Sequence, residues 1–255
     1  MPSKKSKAAE THPLEVLCVF DKLEVYISRI EKKRIAATYT LFQKGETVSN
    51  ELSYSYEENV FDPEDNSSRN LASLILAQLA LNYGLFCREI VFRGVFDNRD
   101  IRFLEAMMEN TSREIYVNKF LKPNPFLKAE VASLPAIRMD RYTFAKVRFE
   151  AESDKAVAWS YWPVDKNKVC VLSSGGKDSL LSYGLMRETG AEVHPFFVNE
   201  SGRHWFTAIN AYKYLQETDP NTGRVWTNSD RVFAWMLRQI PFIRPDFSQV
   251  RADDY

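Results

Sequence analysis

The stretch KVCVLSSGGKDSLLSYGL, Lys168 to Leu185, limits the fold more than any other part of the chain. A β-branched apolar run stops at two serines and two glycines, and a leucine-rich segment follows at once. KVCVL has the character of a fully buried parallel strand. Leu180, Leu181, Gly184 and Leu185 recur at helical spacing, and Gly190 is placed to end that helix. The pattern therefore predicts a strand, a turn over Ser173 to Ser179, and a helix starting near Asp178. Glycines in such a turn can reach positive φ and let a ligand approach the main chain. The first turn of a helix adds unpaired N–H groups and the positive end of its dipole. Together these make an anion site, most naturally for phosphate.

Two phosphate loops are excluded by spacing. A Walker A loop needs glycine five residues before its Gly-Lys pair, and position 171 is valine. The dinucleotide GxGxxG pattern is not present either. Ser174-Gly175-Gly176-Lys177-Asp178-Ser179 instead resembles the SGGxDS motif of the N-type ATP pyrophosphatases, the PP-loop family.

This resemblance implies a doubly wound parallel sheet and cleavage of ATP between its α and β phosphates. A substrate oxygen would be activated as an adenylate, giving AMP and pyrophosphate. The amides of Gly175 and Gly176 and the hydroxyls of Ser174 and Ser179 would hold the departing pyrophosphate. Lys177 would add positive charge, and Asp178 would hold Mg2+ directly or through water. Lys177 and Asp178 are thus the expected catalytic residues, with ATP and Mg2+ as cofactors.

Downstream, EVHPFFV reads as a second strand, although Pro195 suits an edge or a strand start better than a centre. NESGR follows it at the end where open α/β sheets bind ligands, making Asn199, Glu200, Ser201 and Arg203 candidate contacts. His204 reads as structural, at the start of a helix carrying Trp205, Ile209, Tyr212 and Leu215. GRVW reads as a third strand. NSDRVFAWMLRQIP reads as a helix capped by Asn228 or Ser229 and stopped by Pro241. A doubly wound nucleotide domain generally wants about five strands, so this one is expected to be incomplete.

Before residue 161 the pattern is α+β. LEVLCVF, LEVYISRI, RIAATYTLFQ and ELSYSYE favour strands, with QKGET as a turn. A helix is expected over 68–83, a strand in EIVFRGVF, and a helix carrying Ile101, Leu104, Met107 and Met108 on its core face. YTFAKVRFEAES reads as a further strand. The expected organisation is a disordered tail over 1–13, an α+β domain over 14–160, and the nucleotide domain over 161–255.

Lysine plus arginine equals aspartate plus glutamate, 34 each, which argues against a general nucleic-acid or membrane-surface binder. No apolar run reaches the ~18 residues a membrane helix needs, so a cytoplasmic protein is expected. Cys18, Cys87 and Cys170 are widely spaced and read as small hydrophobes in a reducing compartment. An α+β domain before the SGGKDS loop, with FDPEDNSSRNLASLILAQLALNYG, also resembles the bacterial UDP-N-acetylmuramoyl-L-alanyl-L-glutamate epimerase family. That resemblance implies a nucleotide-sugar peptide substrate and adenylation of a glutamate carboxylate. A tRNA-modifying enzyme, a sulfonucleotide-processing enzyme and a non-catalytic ATP-binding module stay open.

Overall fold

The computed structural model describes residues 14–151, 162–200 and 202–244. The expected tail over 1–13 and candidate residue Ser201 lie outside them.

The strand-rich first third forms β1 (Phe20–Glu31), β2 (Arg34–Gln43) and β3 (Glu46–Tyr56), joined as antiparallel neighbours. LEVLCVF departs from expectation, because Glu15–Leu17 is a single 3-10 turn. Leu14 and Leu17 are both fully buried. That i, i+3 pair shares a face in a helical turn and would split across a strand. Core burial overrides β propensity here.

Helix α1 (Asn66–Ala77) tightens into a 3-10 segment, Gln78–Tyr83, so the expected helix over 68–83 divides in two. Strand β4 (Cys87–Gly94) pairs parallel with β1. Helix α2 (Asn98–Ile115) ends in a π turn, Tyr116–Phe120, and β5 (Lys146–Ala151) pairs parallel with β4. Leu104 and Met108 of α2 are buried, whereas Met107 is exposed.

Strand β6 (Lys168–Ser173), helix α3 (Lys177–Glu188), strand β7 (Glu192–Asn199), helix α4 (Arg203–Thr218) and strand β8 (Gly223–Thr227) follow, all three strands parallel. Gly190, at φ 80°, follows α3 as the sequence predicts. Helix α5 (Ser229–Arg238) closes the described order. The protein is α/β, built on one eight-stranded mixed sheet in the order β5-β4-β1-β2-β3-β8-β7-β6. Continuity comes from β3 and β8, antiparallel through Tyr54–Thr227, Ser55–Trp226 and Tyr56–Val225.

The side chains form two cores on opposite faces. Following the register from Ile35 through Tyr54 and Val225 to Val198 stays on one face. Helix α1 covers that face over the first strands. Val232 and Met236 of α5, with Ile240 and Phe242, join the same core. The second core, on the other face, joins Tyr183 of α3 to Val193 and Phe197 of β7 and Ala208, Tyr212 and Leu215 of α4. Residues beyond 228 therefore pack with the first core although they follow the expected boundary at 161.

Two expectations about the parallel strands need correction. Strand β6 is parallel but outermost, and Leu172 is 70% exposed. It is not the fully buried strand that its β-branched run suggests, because the sheet face carrying Leu172 and Val198 is left exposed there and β6 has a strand partner on one side only among the described residues. Pro195 is buried in the inner strand β7, opposite Val171, rather than on an edge.

Candidate anion-binding loop and the neighbouring strand ends

Ser174 to Gly176 link the end of β6 to α3, as the spacing predicts. Gly175 has φ 75°, in the left-handed region. A Cβ there would also lie 2.6 Å from the α-carbon of Ala208 and 2.9 Å from the carbonyl oxygen of Thr207. Glycine is required twice, by conformation and by the approach of α4. Gly176 differs. It is the N-cap of α3 with φ −81°, and a Cβ there would meet only Ser174 Oγ, at 3.5 Å. The left-handed turn belongs to Gly175 alone.

Part of the loop's hydrogen bonding is internal. Ser173 Oγ lies 3.0 Å from Ser179 Oγ and accepts the Gly175 amide at 3.2 Å, while Ser179 Oγ donates to the Gly176 carbonyl at 3.0 Å. In this conformation the Gly175 amide and the Ser179 hydroxyl, two of the expected anion donors, thus serve the loop itself. Ser173, which the motif does not include, is the hub of that network.

Helix α3 has no side-chain cap. Its first-turn amides could therefore act as anion donors, and Ser174 lies exposed beside them. The Lys177 and Asp178 side chains are 92% and 89% exposed, with Lys177 Nζ 3.6 Å from an Asp178 carboxylate oxygen. A pair this exposed contributes little to stability. No cluster of three His, Cys, Asp or Glu side chains able to hold a metal occurs among the described residues. Asp178 would hold Mg2+ together with phosphate oxygens and water, the usual mode for that ion.

Strand β7 lies beside β6, and β8 lies on the far side of β7. Asn199 is buried at the end of β7 and has a partner of its own. Glu200 accepts a 2.9 Å hydrogen bond from Ser229 Oγ, at the start of α5. Burial pushes the Tyr54 phenol up, and the charge of Glu200 pushes it in the same direction, while a Thr227 hydrogen bond opposes both. Arg203 opens α4 behind Gly202, a cap position without a side-chain bond. Tyr54, Thr227 and Ser229 were not legible as neighbours of Glu200, since the pairing of β3 with β8 brings them together.

Between β8 and α4, Arg224 lies 3.9 Å from the Trp226 ring and 4.5 Å from the Tyr212 ring, and pairs with Glu57 at 3.3 Å. Tyr212 donates to the same Glu57 oxygen at 3.1 Å. Glu57 directly follows β3, so this cluster ties the first three strands to the second core.

Cys87 is buried and Cys18 half-buried, and burial pushes both thiols up. Cys170 departs from the expected core position and is exposed. No helix among the described residues is long and apolar enough to cross a membrane. Comparison with known proteins finds no matching family model, curated protein or solved structure.

Proposed function

We propose that the chain binds ATP at the SGGKDS loop and activates a substrate oxygen by adenylation, with AMP and pyrophosphate as products. The observation that carries this reading is the uncapped start of α3, set directly behind the left-handed Gly175 at the end of a parallel strand. It supplies amides and a positive helix end where an anion would develop charge. The residues fit a phosphate group, because space around Gly176 is open and Ser174 is exposed.

In this reading the Gly176 and first-turn amides, with Ser174 Oγ, bind the leaving pyrophosphate. The internally bonded Gly175 amide and Ser179 hydroxyl shape the loop. Lys177 adds charge from the outside, and Asp178 positions Mg2+, which would supply charge neutralisation on the phosphates. The three parallel strands β6 to β8 would belong to a doubly wound nucleotide-binding arrangement. Glu200, held by Ser229, would face the substrate side of the strand ends.

The most specific substrate we propose is UDP-N-acetylmuramoyl-L-alanyl-L-glutamate. Adenylating its terminal carboxylate, with release of pyrophosphate, would acidify the adjacent Cα–H and permit epimerisation by proton removal and return from opposite faces. Water would then hydrolyse the adenylate to the free carboxylate and AMP. The test is product analysis with purified full-length protein and labelled ATP. Substrate-dependent AMP and pyrophosphate are expected. ADP and phosphate would overturn the pyrophosphatase reading, and ATP binding without turnover would leave a regulatory module in its place.

A further inference from the structure

We propose a second ligand site, independent of the SGGKDS loop, in the cleft between the first turns of α1 and α2. The cleft has a volume of about 700 Å3. That is within the range of small-molecule sites, roughly 300–1,000 Å3. Leu71 and Leu74 of α1 form one wall, Arg99 and Arg102 of α2 another, and Trp162, 48% exposed, adds a broad aromatic surface.

The arginines are the unusual feature. Both lie at the start of α2, the end of a helix where a cation is disfavoured by the dipole. Asp97 lines the same cleft and Asp100 lies in the same helical turn, and both keep their charge while amide donors hold them at the start of α2. Asp97 accepts the amides of Arg99 and Asp100 at 2.6 and 2.8 Å. Asp100 accepts the Asp97 amide at 2.9 Å and the Asn70 side-chain amide at 2.5 Å. The Arg102 Nε donates to the Asn98 carbonyl at 3.0 Å, which orients its guanidinium and leaves the terminal nitrogens available. Neither guanidinium forms an ion pair among the described residues.

Two exposed guanidinium groups against the single lining carboxylate of Asp97, beside an apolar wall and an indole, fit an organic anion: a phosphate or carboxylate carrying an aromatic or aliphatic body. Guanidinium supplies paired donors matched to either head group. Three further acidic side chains, Asp62, Glu64 and Asp65, line a separate cleft that shares Trp162. The anionic end is therefore assigned to the arginine side.

The test is calorimetric titration of the full chain with phenyl phosphate, benzoate, inorganic phosphate and phenol. Phenyl phosphate or benzoate should bind at least about tenfold more tightly than phenol or inorganic phosphate, and the tighter of the two identifies the head group. The double variant Arg99→Gln/Arg102→Gln should lose about tenfold or more in affinity for that probe. Trp162→Ala should also weaken it, while Gly176→Asp at the other loop should leave it unchanged. Absence of binding, equal affinity in the arginine variant, or loss of binding on Gly176→Asp would each overturn the proposal.

Discussion

Helices α1 and α2 begin under carboxylates, whereas α3 and α4 begin behind glycines. Asp65 accepts the Ser68 amide at the start of α1, and Asp97 and Asp100 form a capping box on α2. Gly176 and Gly202 occupy the same position on α3 and α4 and have no side chain to offer. A carboxylate cap satisfies the first-turn amides and stabilises the fold locally. An uncapped start leaves donors for another molecule. The difference separates α1 and α2, whose first turns are closed by their own carboxylates, from α3, whose first-turn amides have no side-chain cap.

The sheet repeats this contrast. Around β1, β4 and β5, the face opposite the first core carries ion pairs, among them Lys22–Glu24, Arg93–Glu24 and Arg93–Glu150. Beyond β8, the face that the first core covers elsewhere exposes Leu172 and Val198. Charge suits an open sheet face, while exposed leucine and valine cost hydrophobic stabilisation that burial would supply.

The sharpest way to break the comparison is Gly175→Ala. The substitution puts a Cβ into the α4 backbone and forces alanine into the left-handed region. Strain and overpacking together should cost roughly 2–6 kcal/mol. Chemical denaturation should show the loss, and Gly176→Ala should show little. Equal tolerance at both glycines would mean that the loop is not seated on α4.

Arg224→Ala comes next, since it removes an ion pair and the aromatic contacts that join the two cores. Arg224 Nε is buried without a hydrogen-bond partner among the described residues, so the guanidinium is not fully satisfied even in the wild type. A loss of about 2–3 kcal/mol is expected in a denaturant melt. Arg224→Lys should recover only part of it, because an ammonium cannot reproduce the planar stacking. Full recovery would reduce the cluster to simple charge pairing.

How much of this was legible in the sequence depends on how local each feature is. The turn between β6 and α3 was readable because its glycines and the leucine spacing lie within one short segment. The edge position of β6 was not, since a β-branched run looks the same at a sheet centre and at a margin. The cluster of Glu57, Tyr212 and Arg224 joins residues more than a hundred positions apart. Only the pairing of β3 with β8 brings them together. Likewise Asn228 holds the N-cap position of α5 as the sequence predicts, but its side chain does not cap: it accepts the Ser53 amide at 2.8 Å and donates to the Glu51 carbonyl at 2.8 Å.

A smaller effect tests the caps directly. Asp97→Ala should cost about 1 kcal/mol by opening the first turn of α2. Gly176→Asp, which offers α3 the missing cap, should change stability by only a few tenths of a kcal/mol. If the loop binds ATP as proposed, the new carboxylate should nevertheless abolish that binding by occupying the amides and repelling phosphate. Melting curves measure the first consequence and nucleotide titration the second. Retained ATP binding in Gly176→Asp would place the nucleotide away from α3.

The smallest stability effect is expected at the side chains closest to the proposed chemistry. Lys177 and Asp178 project into solvent, and their 3.6 Å contact lies in high dielectric. Neither Lys177→Met nor Asp178→Asn should measurably shift a melting curve. In the adenylation reading, Asp178→Asn should still lower turnover, because a neutral amide holds Mg2+ less well than a carboxylate. Lys177→Met should reduce turnover less, since the helix amides remain as donors. A steady-state assay following AMP and pyrophosphate separates the two variants. Unchanged turnover in both would exclude these side chains from the reaction and leave the main-chain donors of α3 as the loop's contribution. A fall in stability without a fall in turnover would invert the comparison, making this exposed pair part of the scaffold.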